Sequence, residues 1–397
     1  MADAVVDYLI IGAGIIGAAL AAEIARRKPG ARILVAEKEV RPAFHQTGRN
    51  SGVVHSGVYY TPGSLKARFC RDGLEETRAY CRAQGVAFDP RGKLIVATDA
   101  AEVQRLDGLE TRAAGNGVAC QRIGQRDLHR LEPAITGLEA LHIPATAIVD
   151  FTGVTTALLA EVQDRGGEIR FNAPLTRLDA QGGAYCATIG GRAIEAGRII
   201  ACCGLASDRV ARLLGLDPGI RILPFRGEYF VLPKALSQVV TRMIYPVPDP
   251  ALPFLGVHLT PMIDGTITVG PNAVLSLTRE KYGRFSVAPA DAADALLYPG
   301  LWRLLARHPG ASLNELRGSL FRRRYLALVR KYCAQIRLDD LRTYRSANRA
   351  QAVAPDGTLV DDFLIKTHGG VTAVLNAPSP AATSALPIAR HIAQSIL

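Results

Sequence analysis

Apolar residues run unbroken through Tyr8-Leu9-Ile10-Ile11 and again through Ile33-Leu34-Val35-Ala36. This is the pattern of strands covered on both faces of a parallel sheet. Between them Gly12 to Gly17 predicts a tight turn, and Ala18 to Arg27 a helix packed on that sheet, so the first forty residues predict a βαβ unit. The same pattern returns later, with a helix over Thr155 to Arg165, a strand at Ile169-Arg170-Phe171 and a buried strand from Arg198 ending at Gly204. A different rhythm holds at Lys93 to Thr98, Tyr229 to Leu232 and Thr266 to Val269. These runs are short and set off by Pro, Asp-Gly and Gly, as in an antiparallel sheet. The glycine-rich stretch from His45 to Gly63 reads as a loop.

The turn Gly12-Ala13-Gly14-Ile15-Ile16-Gly17 is a G-x-G-x-x-G between strand and helix, with Glu37 ending the second strand. Gly12 lets the chain turn, Gly14 removes the Cβ that would block a pyrophosphate, and Gly17 lets helix and strand pack closely. The phosphates then face the positive end of the helix, while Glu37 accepts hydrogen bonds from ribose hydroxyls. That acid also argues against a 2′-phosphate. Dinucleotide binding follows, and FAD and NAD share the ADP half that this motif reads.

Charge and cysteine content change little. The net charge of +11 favours anionic partners, whether nucleic acid, an acidic membrane or a dianionic substrate. No aromatic-interleaved basic groove supports nucleic acid. The seven cysteines form no C-x-x-C pair, which suits a reducing, cytoplasmic compartment and gives no reason to expect a metal. Asp3 and Asp7 precede the apolar stretch at Tyr8 and Glu23 ends it, so neither a signal peptide nor a membrane span is expected.

The segment His45-Gln46-Thr47-Gly48-Arg49-Asn50-Ser51-Gly52-Val53-Val54-His55-Ser56-Gly57-Val58-Tyr59-Tyr60 resembles the flavin-covering stretch of the D-amino-acid-oxidase/glycerol-3-phosphate-dehydrogenase superfamily, and within it the L-2-hydroxyglutarate dehydrogenase family. Thr61 to Lys66, Phe254 to Thr260, Gly270 to Ala273 and Asn376 to Ser384 also resemble that family, and the likeness runs from about Asp7 to Ile392. Two departures stand out. Ser346-Ala347-Asn348 precedes Arg349 where relatives have Gly-Ile, and Pro261 follows His-Leu-Thr where an arginine is common.

The resemblance implies an α/β fold with an α+β second domain. A Rossmann-like FAD-binding domain from residues 1–90, 145–215 and 345–397 would interleave with a substrate domain, built on an antiparallel sheet, from 91–144 and 216–344. It implies FAD, held without a covalent bond, with Thr47, Arg49, Asn50, Ser51, Gly52, Gly204, Asn376, Pro378 and Ser379 joining Gly12, Gly14, Gly17 and Glu37 at the cofactor. His45 and His55 are the nearby nucleophiles of the type that attaches flavin. Ser207 and Asp208 read as a helix N-cap, and the N-terminus of a helix over Ser384 to Ser395 points at the flavin ring in relatives.

Oxidising a 2-hydroxy acid needs a hydride acceptor, a base and cations for carboxylate. His258 and His55 are the candidate bases, since histidine titrates near working pH. Arg349 is the first candidate for the carboxylate because a guanidinium gives a two-pronged contact, with Tyr60 and Lys66 as further substrate contacts. The expected partners are a small dicarboxylate and a quinone or oxygen as electron acceptor. A peripheral contact with the inner membrane face is expected through the run Phe321 to Lys331, where Leu320, Leu326, Leu328 and Val329 accompany arginines. The rival readings keep the fold and change the substrate to an amine, an amino acid or glycerol 3-phosphate, or reduce the chain to a basic binding protein.

Overall fold

The computed structural model describes residues 4–181, 184–249, 256–307, 309–310, 319 and 321–397. Strand Ala4–Ile11 runs parallel between Ile33–Ala36 and Arg192–Ala201, with Glu168–Arg170 beyond the first and Val371–Asn376 beyond the second, both also parallel. Alternation along the central strand feeds two cores. Ile10 packs with Leu20 and Ile24 of helix Ile15–Arg27, while Leu9 and Ile11 pack with Leu34 and Ile199 on the other face. Each such side chain, fully withdrawn from water, contributes roughly 1.5–3 kcal/mol. Helices Ile15–Arg27, Phe151–Asp164 and Ala385–Ile396 cover the first face.

A second sheet orders its strands as Arg342–Val353, Arg221–Val231, Ile267–Gly270, His258–Pro261, Met243–Pro246, Lys93–Ala97, Glu139–Ile143 and Gln121–Gly124. It is antiparallel except where Met243–Pro246 runs parallel to Lys93–Ala97, which joins two lengths of chain separated by the first sheet. One face of this sheet is apolar. Leu94, Ile244, Leu259 and Val269 pack there on Tyr325, Leu326 and Val329 of helix Arg322–Arg330. The alternate positions turn the other way, toward the loop that carries Val53, Val58 and Tyr59.

Several sequence expectations change. The stretch read as a loop at 45–63 contains a short helix, Gln46–Arg49, and strand Val53–Val54, paired with Ala147–Val149. Strand Arg221–Val231 is far longer than the expected Tyr229 to Leu232, because pairing on both sides holds it through Pro224 and Gly227. Strand Arg342–Val353 lies wholly in the second sheet, so the change of sheet falls after Val353 and not at 345. Phe254, Leu255 and Leu320 lie outside the described residues.

Neither Ser207 nor Asp208 is the N-cap: that position of Ser207–Leu213 is Ala206, which has no side-chain oxygen, although Asp208 inside the first turn accepts the Arg209 N–H at 2.9 Å. The Ser207 hydroxyl donates to the Leu375 carbonyl at 2.8 Å. Asp208 is fully buried, accepts the Ile222 N–H at 3.1 Å, and is paired at 2.5 Å with Arg279, itself buried. This pair ties the nucleotide sheet to the start of the long strand of the other sheet. Removing Arg279 leaves buried Asp208 with only the half-exposed Arg212 at 3.7 Å as a charged partner among the described residues, and breaking a buried pair costs up to about 3–5 kcal/mol. Arg279→Met is therefore expected to lower the melting temperature by several degrees, as thermal denaturation followed by circular dichroism would read; an unchanged midpoint would show that the pair holds nothing together.

Candidate active site

The glycine turn is set by close backbone approach. Gly12 sits at φ +103°, where a Cβ would lie 2.6 Å from the Cys202 carbonyl oxygen, and a Cβ on Gly17 would lie 2.0 Å from that of Gly12. Gly14 begins helix Ile15–Arg27 and offers no side chain to its first turn, where the Thr47 hydroxyl accepts the Ile15 N–H at 3.1 Å. Buried Glu37 accepts the N–H groups of Ala13 at 2.8 Å and Glu39 at 2.9 Å. Each of its oxygens keeps a second lone pair for a ribose hydroxyl. This cradle fits the ADP half of a dinucleotide.

Two loops meet at the other end. The Thr383 hydroxyl accepts the His55 N–H at 3.0 Å, and Tyr60 shares a hydrogen bond with Ser379. Helix Leu65–Gln84 comes so close that a Cβ on Gly73 would sit 2.2 Å from the Thr383 carbonyl oxygen. Asn376 spends its amide N–H groups on the carbonyls of Val360 and Asp362, which leaves its Oδ1, like the Ser384 hydroxyl, buried without a partner among the described residues. Orphaned polar atoms of this kind are expected where a polar ligand completes the site.

His258 lies face to face on Tyr245, with ring centroids 4.0 Å apart. Its Nδ1 is 3.1 Å from the Gly256 carbonyl, which only accepts, so Nδ1 carries the proton and Nε2 the lone pair. That Nε2 is buried and has no partner among the described residues. Burial pushes the imidazole down to about 3, and Arg349 and Lys93 push in the same direction. His258 is thus a neutral acceptor at working pH. His55 is less buried, but its Nδ1 is sealed and unpartnered, and desolvation, then Lys93 and His258, hold its pKa below the usual range.

Arg349 is half-buried on the long strand, opposite Phe225, and its charge is felt at His258, Tyr229 and Tyr245. Lys66 is otherwise engaged: its ammonium is paired with Asp361 at 2.7 Å and lies 5.0 Å from the Tyr60 ring centre. Arg49 stacks on Tyr282 at 3.8 Å and donates to the Ser346 carbonyl at 3.3 Å. Asn50 bridges the Thr47 carbonyl and the Gly52 N–H, while Ser51 and Gly52 line a cavity of about 220 Å³ with Met262 and Arg345. Gly204 sits at φ +49° against the Gln46 side chain, and Pro378 accepts the Ala381 N–H. His45 is bound to Glu39 and the Tyr282 hydroxyl. With Glu280, His45 and Glu39 form a trio of metal-ligand type, but the Lys38 ammonium already pairs with both carboxylates.

Sequence reasoning missed Lys93, Tyr59 and Tyr245. The Lys93 ammonium is fully buried without a partner among the described residues, 4.5 Å from the Tyr59 ring centre and 5.0 Å from that of Tyr245. The available signal was a lysine opening Lys93-Leu94-Ile95-Val96-Ala97, a strand apolar at every other position.

Residues 7–395 match the model of the family described as FAD dependent oxidoreductase. The chain is 47% identical, over 98% of its length and 93% of the relative's, to an L-2-hydroxyglutarate dehydrogenase of Escherichia coli. It is 38% identical to the mitochondrial L-2-hydroxyglutarate dehydrogenase of Homo sapiens, over 98% and 88%. Among solved structures, an L-alpha-glycerophosphate oxidase from Mycoplasma pneumoniae with FAD bound superposes with a TM-score of 0.82 at 21% identity, covering 99% of this chain and 94% of that one.

The histidines also set a pH dependence. Between about pH 6.5 and the depressed value near 3, the unfolded chain takes up protons on His258 that the folded chain refuses, so stability falls as acid is added. Wild type is expected to lose more melting temperature than His258→Phe between about pH 7 and about pH 4. Parallel losses would show that His258 is protonated in the folded protein.

Proposed function

We propose, for a chain that belongs to the FAD-dependent oxidoreductase family and within it to the L-2-hydroxyglutarate dehydrogenases, that it oxidises L-2-hydroxyglutarate to 2-oxoglutarate and passes the electrons to a quinone or to oxygen. The observation that carries the reading is the bare Nε2 of a neutral, buried His258, within electrostatic reach of Arg349, on the sheet face toward the loop of His55. When bound, FAD supplies the acceptor for the hydride. Gly12, Gly14, Gly17 and Glu37 would hold its ADP half, and Asn376 and Ser384 offer the unpartnered atoms for its other end.

His258 takes the hydroxyl proton through Nε2, because the Gly256 carbonyl fixes the tautomer and the stacked Tyr245 fixes the ring plane. His55 is the alternative base, with its backbone held by Thr383. Arg349 takes the C1 carboxylate and sets the angle of the reacting carbon. The departures fit the same site. Asn348 donates to the carbonyls of Thr278, Arg279 and Lys281, and the Ser346 hydroxyl to that of Tyr282, so both fasten a neighbouring segment. Pro261 ends the His258 strand opposite Ile267.

We propose further a peripheral contact with an anionic membrane. No helix among the described residues is long and apolar enough to cross one. In helix Arg322–Arg330 the expected apolar face is corrected: Leu326 and Val329 are buried in the core, leaving Phe321 and Leu328 exposed among Arg322, Arg323 and Arg324. Leu297 is 81% and Trp302 56% exposed, flanked by Arg303 and Arg307. Such an apolar-and-basic surface suits an interface with acidic lipid. Flotation with anionic liposomes should recover the protein at low salt and less of it at high salt; failure to float at low salt retires the contact.

Anaerobic mixing with L- and D-2-hydroxy acids tests the reaction, and L-2-hydroxyglutarate should bleach the flavin band where its D-isomer does not. Ammonia release from an amino acid would select the rival reading instead. Arg349→Met should lower kcat/KM by at least about 2 kcal/mol of transition-state binding, with FAD content unchanged and only partial rescue by lysine. Near-normal kcat/KM in a Met variant with full FAD content would remove Arg349 from the site.

A further inference from the structure

Lysine 93 has no structural task that the rest of the fold explains. It opens strand Lys93–Ala97 with 0% exposure, and its ammonium meets neither a carboxylate nor a hydrogen-bond acceptor among the described residues. The rings of Tyr59 and Tyr245 face it, at 4.5 and 5.0 Å. Cation–ring contacts return a fraction of what desolvating an ammonium costs. The other titratable groups around it among the described residues are Cys70 on helix Leu65–Gln84, His55 on the covering loop and His258 on strand His258–Pro261, and none is an anion at neutral pH. Burial accordingly draws the amine down to about 7. An apolar side chain here would remove that desolvation cost.

The sheet shows what the amine is placed for. Lys93 pairs with Met243 and Ile95 with Tyr245, so Lys93 and Tyr245 share a face, and His258 stacks on Tyr245 from the next strand. In strand order, the His258 strand lies between that of Lys93 and that of Arg349. The Lys93 strand is two places away on one side and the Arg349 strand three places away on the other, about 10 and about 14 Å at the usual strand spacing, so both long side chains must reach inward to meet one ligand. A base thus stands between two cations that reach in from opposite sides. A five-carbon diacid separates its carboxylate carbons by four carbon–carbon bonds, about 5 Å when extended. With the C1 carboxylate at Arg349 and the hydroxyl at His258, its second carboxylate extends toward Lys93.

We propose that Lys93 is the specificity-determining cation that receives the distal carboxylate, so that the site prefers 2-hydroxy diacids to 2-hydroxy monoacids of the same length. This rests on the reading of the site as a 2-hydroxy-acid oxidising centre. The lowered pKa supports it, since an incoming carboxylate restores the charge that burial disfavours.

The test uses FAD-loaded wild type and Lys93→Met, with anaerobic flavin reduction by L-2-hydroxyglutarate and by L-2-hydroxypentanoate, which carries a methyl in place of the distal carboxylate. The ratio of kcat/KM for the diacid over the monoacid should fall at least about 100-fold in the variant, the scale of a lost buried charge pair. Glutarate, which has both carboxylates and no hydroxyl, should perturb the flavin spectrum of wild type and not of the variant at the same concentration. The ligand-free variant should melt higher than wild type, because an unpartnered buried amine has gone; a structural lysine would give the opposite shift. Lys93→Gln is read in the same way if the Met variant binds no FAD. A ratio that stays within a few-fold of wild type, or equal losses for both acids, overturns the assignment to Lys93 alone. Wild type that oxidises neither acid overturns the reading beneath it as well.

Discussion

His258, Lys93 and His55 each hold a nitrogen out of water without a partner among the described residues, and the surrounding structure supports that cost. The second sheet uses one face to bury Leu94, Ile244 and Leu259 against helix Arg322–Arg330, which frees the opposite face for polar side chains. The covering loop and the loop before helix Ala385–Ile396 close over that face, joined where Thr383 accepts the His55 N–H. The Asp208–Arg279 pair locks the two sheets at the other end of the long strand. Desolvation then does chemical service. It keeps His258 neutral with its Nε2 lone pair free, it leaves that nitrogen a weak base until bound carboxylates offset the charges of Arg349 and Lys93, and it keeps Lys93 ready to gain from an anion.

The nucleotide end was legible because its geometry admits few residue types. A chain that turns at φ +103° with a carbonyl 2.6 Å from the missing Cβ admits little but glycine, and Glu37 is placed by the end of its strand. Lys93 was not legible, since a lysine at a strand end ordinarily rests in water; only the neighbouring strands and the loop of Tyr59 exclude it here. Strand Arg342–Val353 hid for the opposite reason. Among the described residues its ladder is with Arg221–Val231, with one further bridge from Val353 to Leu359, and an edge strand need not alternate apolar and polar residues. Ser207 and Asp208 misled because they match a cap in sequence, while long-range partners claim their side chains.

The departures from relatives fall on the framework of the site. Asn348 holds three carbonyls of the segment that includes Arg279, and Ser346 holds Tyr282, on which Arg49 stacks. Arg349 keeps its place on the same strand.

The most direct measurement is a crystal structure of the FAD-loaded protein with 2-oxoglutarate bound. One carboxylate should lie in a two-pronged contact with Arg349, the 2-oxo oxygen within hydrogen-bond reach of His258, and the second carboxylate on the Lys93 ammonium. A ligand bound away from the His258 face, or one that leaves Lys93 without a carboxylate, would contradict this assignment of the site.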